Sequence, residues 1–170
     1  MAGIGNQLGR RGITAGGNPT RYHTCDLPPA TTTTGTDTTP VITETYIARV
    51  IVDFTSQLTG IAVLNGSAAA GNLNVILYDA NGYPVASSGA VAQSGTAAYQ
   101  SVPFTAAVTV VGPAVYYVGL QCSSTSARFR SHTISMVPAS KKTGEVFGTV
   151  TAITPPTTFT TALGPIATTY

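Results

Sequence analysis

Apolar residues recur at every second position in short runs through the middle of this chain. Tyr46, Ala48, Val50, Val52 and Phe54 alternate with Ile47, Arg49, Ile51 and Asp53. Leu73, Val75 and Leu77 alternate with Asn74, Ile76 and Tyr78. A period of two is that of an extended strand, whose successive side chains leave opposite faces. Leu58–Leu64 is another apolar run, closed by the turn pair Asn65-Gly66. Asp79-Ala80-Asn81-Gly82 is a turn signal that predicts a return strand over Tyr83–Ser87. Pro84 has no N–H to give a ladder, so that return strand is predicted to be short or at an edge. Further runs at Ala97–Phe104, Ala107–Val111, Val115–Gln121 and Arg128–Val137 bring the total to about eight strands.

No window of helical length carries a capped apolar stripe, and Ala68–Ala70 is too short to be one. Short strands with a turn every 8–12 residues predict an all-β fold, an antiparallel β-sandwich of jelly-roll-like kind. The runs Ile47–Val52 and Val115–Leu120 are apolar on both faces. One face fits the sandwich core. The other needs a second cover, for which a neighbouring subunit is the expected source.

The flanks read differently. Residues 1–43 have glycines at 3, 5, 9, 12, 16 and 17 and the low-complexity stretch Thr31–Pro40, and they predict an extended N-terminal arm and linker. Residues 44–137 are the predicted β-sandwich domain. Residues 138–170 predict an exposed turn at Lys141–Gly144, one more strand over Glu145–Thr151, and an irregular C-terminal tail that docks through Phe159 and Tyr170. Arg10 and Arg11 are the matching docking candidates in the arm.

Charge narrows the function classes. Only 8% of the residues are Asp, Glu, Lys or Arg, while 43% are hydrophobic; an ordinary soluble domain has about 25% charged residues. A surface built from Thr, Ser, Asn and Gln suits a protein that ends packed against copies of itself or a scaffold. The net charge of +2 is too small for a nucleic-acid footprint. No run is long enough to span a membrane, and the N-terminus has no secretory h-region. Assembly in a cytoplasm is the expectation that follows.

Candidate chemistry is sparse. The chain has six acidic residues, two histidines and two cysteines, Cys25 and Cys122, which are expected to be free thiols. Glu44 and Asp53 sit nine residues apart, on opposite faces of a regular strand. Asp79 is expected to bond its own turn. His23-Thr24-Cys25 lacks the further partners of a zinc site, and no nucleophile elbow, phosphate loop or dinucleotide fingerprint occurs. The reading is a non-enzyme without cofactor or metal. Arg128, Arg130 and His132 fall at i, i+2, i+4 on one face of a strand, where they suit an acidic patch on a partner or the carboxylate of an acidic glycan, against the plainer reading of a solvated edge. Asn65-Gly66-Ser67 fits a glycosylation acceptor but reads as a turn.

The run Leu73–Gly82 (Leu-Asn-Val-Ile-Leu-Tyr-Asp-Ala-Asn-Gly), Val102-Pro103-Phe104, the run Ala114–Gln121, and the closing stretch Pro155–Ala167 resemble the β-sandwich modules of tailed-bacteriophage virion proteins. Such modules occur in capsid decoration proteins, head fibres and tail accessories. The resemblance implies a symmetric homo-oligomer, often a trimer, bound to other virion proteins, with no active site. Carbohydrate-binding modules share this pattern, so a glycan-binding adhesion module is the alternative.

Overall fold

The computed structural model describes residues 22–24, 35–134 and 137–170. Eleven strands and no helix occur among them: β1 Thr36–Thr38, β2 Glu44–Val52, β3 Ser56–Leu64, β4 Asn72–Tyr78, β5 Pro84–Ser87, β6 Val91–Ala92, β7 Tyr99–Val110, β8 Ala114–Cys122, β9 Phe129–Ser131, β10 Ala139–Thr143 and β11 Ala167–Thr169. Every strand pairing is antiparallel. A six-stranded sheet runs β10-β2-β8-β4-β5, with β6 also on β4; a three-stranded sheet runs β11-β3-β7; β1 and β9 form a two-stranded ribbon. Long consecutive strands alternate between the two main sheets, which is the jelly-roll manner of building a β-sandwich.

The alternating positions fill the space between the sheets. Tyr46, Val50 and Val52 of β2 and Leu73, Val75 and Leu77 of β4 meet Leu58, Ile61 and Val63 of β3 and Val102 and Phe104 of β7 in one buried cluster. Leu58 and Ile61 are three apart and would face opposite ways on a regular strand. The register slips between Leu58 and Gly60, and this bulge returns Ile61 to the inside. Burying a side chain of this size stabilises by about 1.5–3 kcal/mol.

Two edges carry proline. Pro84 opens β5, at the rim of the large sheet, as expected. Pro103 lies in β7, the rim of the small one. Gly60, opposite Pro103, directs both its backbone groups to Tyr170, so the pair makes no ladder bond and Pro103 turns its missing N–H outward. A third edge, β10, carries Lys141 and Lys142, and the fourth, β11, is bridged by His23.

Several expected boundaries move. Ala97–Phe104 and Ala107–Val111 form one long strand, β7. The segment Lys141–Gly144 is not a free turn: Lys141, Lys142 and Thr143 pair with Tyr46, Thr45 and Glu44, and Gly144 alone, at φ 76°, makes the turn. Glu145–Thr151 forms no strand. Paired structure also crosses the boundary expected at 43/44. Thr36–Thr38 pairs with Phe129–Ser131, and His23 bridges Thr168. Arg10, Arg11 and Cys25 lie outside the described residues.

Candidate functional site

The outer face of the large sheet is built in rungs. Thr45, Gln121 and Asn74 form one; Ile47, Gly119 and Ile76 the next; Arg49, Tyr117 and Tyr78 a third; Ile51 and Val115 a fourth. The sequence assigns the covering of this face to a neighbour. The chain itself covers the first three rungs. Segment 145–153 crosses the sheet, placing Ile153 and Val150 against Ile47, Ile76, Tyr78 and Tyr117. Gln121, only 1% exposed, holds the crossing segment. Its amide donates to the Thr149 carbonyl at 3.0 Å and to Thr45 Oγ1 at 3.0 Å, and its oxygen accepts from Gly148 N at 3.1 Å and Asn74 Nδ2 at 2.9 Å. At the far side, Ile153 N donates to the Gly82 carbonyl at 2.9 Å.

Beyond Ile153 the chain turns back to β10, where Ala139 N donates to Thr158 O. An open groove of about 590 Å³ lies between, lined by Ile47, Ser140, Lys142, Ile153, Pro155 and Thr157 among others. Both lysines at its rim are already paired. Lys142 Nζ lies 2.7 Å from Glu145 and 2.6 Å from Thr151 Oγ1, and Lys141 Nζ lies 2.7 Å from Glu44. Burial raises the Glu44 carboxyl, but the bonds from Lys141 and Tyr46 outweigh it and hold the group below its ordinary range. The groove therefore has little free charge for an anionic ligand.

The trio Arg128, Arg130 and His132 does not form an open recognition face. Only residues 129–131 are strand, and what covers them comes from far away in the sequence. Arg130 bonds the Gly35 carbonyl and approaches Asp37 at 3.9 Å, with its side chain 14% exposed. Asp37 in turn accepts from the backbone and the hydroxyl of Ser67. Arg128 turns back onto the carbonyls of Thr125 and Ala127. His132 is buried, and its Nε2 lies 3.2 Å from Thr24 Oγ1. Burial lowers its pKa to about 4, although the Pro165 backbone contact acts the other way.

The tail candidates dock on the chain's own body. Phe159 bridges Pro138, with the Arg49 guanidinium 6.0 Å from its ring centre. The Tyr170 carbonyl accepts from Thr59 and Gly60, and its ring lies where a Cβ on Gly60 would be. Asp79 accepts from Asn81 and Tyr83 as expected. Asn65 is fully buried and its amide is spent on Ser94, Gly95 and Gln100, which suits the turn reading of its sequon. Cys122 is a free, buried thiol, and desolvation pushes its pKa up to about 12. No group of three His, Cys, Asp or Glu suited to a metal occurs among the described residues.

Several apolar side chains remain exposed, Val146, Tyr83 and Ile134 among them, and three others gather toward one end of the sandwich. The fourth rung lies beyond the crossing segment, and Ile51 is 48% exposed. Next to it, the β2–β3 turn presents Phe54, 70% exposed, and the β7–β8 turn presents Val111, 64% exposed. The two turns are joined: Gly112 N donates to Thr55 Oγ1, and a Cβ on Gly112 would sit within 2.6 Å of Phe54 N. Phe54 and Val111 are thus parts of one apolar surface, with exposed Pro113 beside them. The sequence hides this surface, because Phe54 continues the inward-facing series Tyr46 to Val52 and leaves it only when β2 ends at Val52. No protein family, curated protein or solved structure matches the chain.

Proposed function

We propose that this protein is a structural subunit of a bacteriophage particle, a capsid decoration, head-surface or tail accessory protein that works by oligomerising and docking rather than by chemistry. The observation that carries the reading is the apolar end formed by Ile51, Phe54 and Val111 on a body with few charges. Solvent-exposed apolar side chains that adjoin one another on a rigid scaffold are what a partner covers, at about 25 cal/mol per Å² before the costs of association. The sequence resemblance supplies the setting: a virion, assembled in the host cytoplasm. A glycan-binding module has less support, since Arg130 and His132, on which it relied, are engaged by Asp37, Gly35 and Thr24.

Sedimentation of the purified full chain tests the reading. The expected result is a discrete species whose mass is a multiple of 17.3 kDa. A monomer persisting at high micromolar concentration overturns it.

A further inference from the structure

Tyr22, the first described residue, lies at the apolar end. His23 bridges Thr168 antiparallel, and Tyr22 N donates to Thr169 Oγ1, so residues 22–24 run antiparallel along β11. The Tyr22 hydroxyl donates to the Phe54 carbonyl at 2.9 Å. Tyr22 and the apolar surface therefore meet at one turn.

The sequence of residues 1–21 complements that surface. It has Met1, Ile4, Leu8 and Ile13 set among six glycines, a composition too poor to bury them by itself. It carries Arg10, Arg11 and Arg21 and no acid. The surface has one acid beside it, Asp53, which is exposed and forms no ion pair with any described residue. Extended, the segment reaches roughly 70 Å, far enough to cross to another molecule.

We propose that residues 1–21 of one copy dock on the Phe54 end of a second copy, with Ile4, Leu8 or Ile13 against Phe54 and Val111 and the Arg10-Arg11 pair beside Asp53. Donor and acceptor sit at the same end, so two copies that meet through it can each seat the other's segment, a reciprocal exchange. This inference rests on the assembly reading above and names its contact.

The test uses full-length chains and their mass in solution. Phe54→Ser with Val111→Ser removes the seat. Ile4→Ser with Leu8→Ser and Ile13→Ser removes the occupant. All five positions avoid the buried core or lie ahead of it, and circular dichroism verifies the fold of each variant. Each variant is expected to run at 17.3 kDa, while Phe54→Leu keeps the assembly. An equimolar mixture of the two variants is expected to regain a larger species, because one retains the seat and the other the occupant. A seat variant that keeps the parental mass overturns the docking while leaving assembly intact. A mixture that stays at 17.3 kDa overturns docking between copies, as when the segment seats on its own body. A parental chain that is itself monomeric removes the assembly reading and this contact together.

Discussion

Tyr22 and Thr169, 147 residues apart, clasp each other: Tyr22 N donates to Thr169 Oγ1 at 3.2 Å, and Thr169 N donates to the Tyr22 carbonyl at 2.9 Å. The last strand is thereby enclosed between the N-terminal segment and β3. Ile166, Ala167, Thr168 and Thr169 are all buried as a result.

Removing residues 166–170 strips β3 of its ladder on that side and frees Tyr22–Thr24. A loss of about 4 kcal/mol or more is expected, a large part of the stability of a domain this size. Chemical unfolding measures it. A truncated chain with the parental midpoint would show that the C-terminal strand adds nothing.

Replacing Gln121 by Leu conserves volume but leaves Gly148 N, Thr149 O and Asn74 Nδ2 without this partner. The expected cost is about 2–4 kcal/mol. Hydrogen exchange is expected to quicken over residues 145–153 and to stay unchanged at the Asp79 turn. Uniform quickening would assign Gln121 to general stability and not to holding the crossing segment.

Gly119 lies under the ring of Tyr78: a Cβ there would stand 2.6 Å from Tyr78 Cε2 and 3.2 Å from Thr45 Cγ2. Tyr78 is fully buried and cannot swing away. Gly119→Ala is expected to cost about 1–3 kcal/mol, or a fall of about 3–10 °C in Tm. An unchanged Tm would mean that the ring yields without penalty.

His132 makes stability depend on pH. Its imidazole takes a proton near 6.5 when the chain is unfolded and only near 4 when folded, because burial disfavours the cation. Between those values the unfolded state holds more protons, so stability falls as pH drops from about 6.5 to 4 and this group then adds no further loss. The span corresponds to roughly 3 kcal/mol. Glu44 and Asp37 are shifted the same way from lower starting values, so their contributions are lost at more acid pH. Unfolding titrations of His132→Gln are expected to be flat from 6.5 to about 5 while keeping the acid fall. A parental slope in that variant would move the effect elsewhere.

The strands, the Asp79 turn and the edge position of Pro84 are legible in the sequence because each depends on neighbours within a few residues. The failures share one cause. Whether a face is covered is decided by segments distant in the chain. Arg128, Arg130 and His132 have the right spacing, but nothing local tells that Gly35, Asp37 and Thr24 will lie on them. Ile47 and Ile76 announce a second apolar face, yet their cover, Val150 and Ile153, comes from a stretch without periodicity. β10 is hidden by its lysines, which read as a turn and in fact mark an edge strand. β1 and the Tyr22–Thr24 segment are too short to register, and they hold only because β9 and β11 are already in place.

The prolines and lysines along the sheet rims bear on how such a molecule behaves when crowded. A strand arriving at Pro84 or Pro103 finds a missing donor, and one arriving at β10 meets two ammonium groups. Fibrous growth by backbone addition is thus discouraged at these three rims. Side-chain contact is thereby left as the route by which copies at high local concentration would meet.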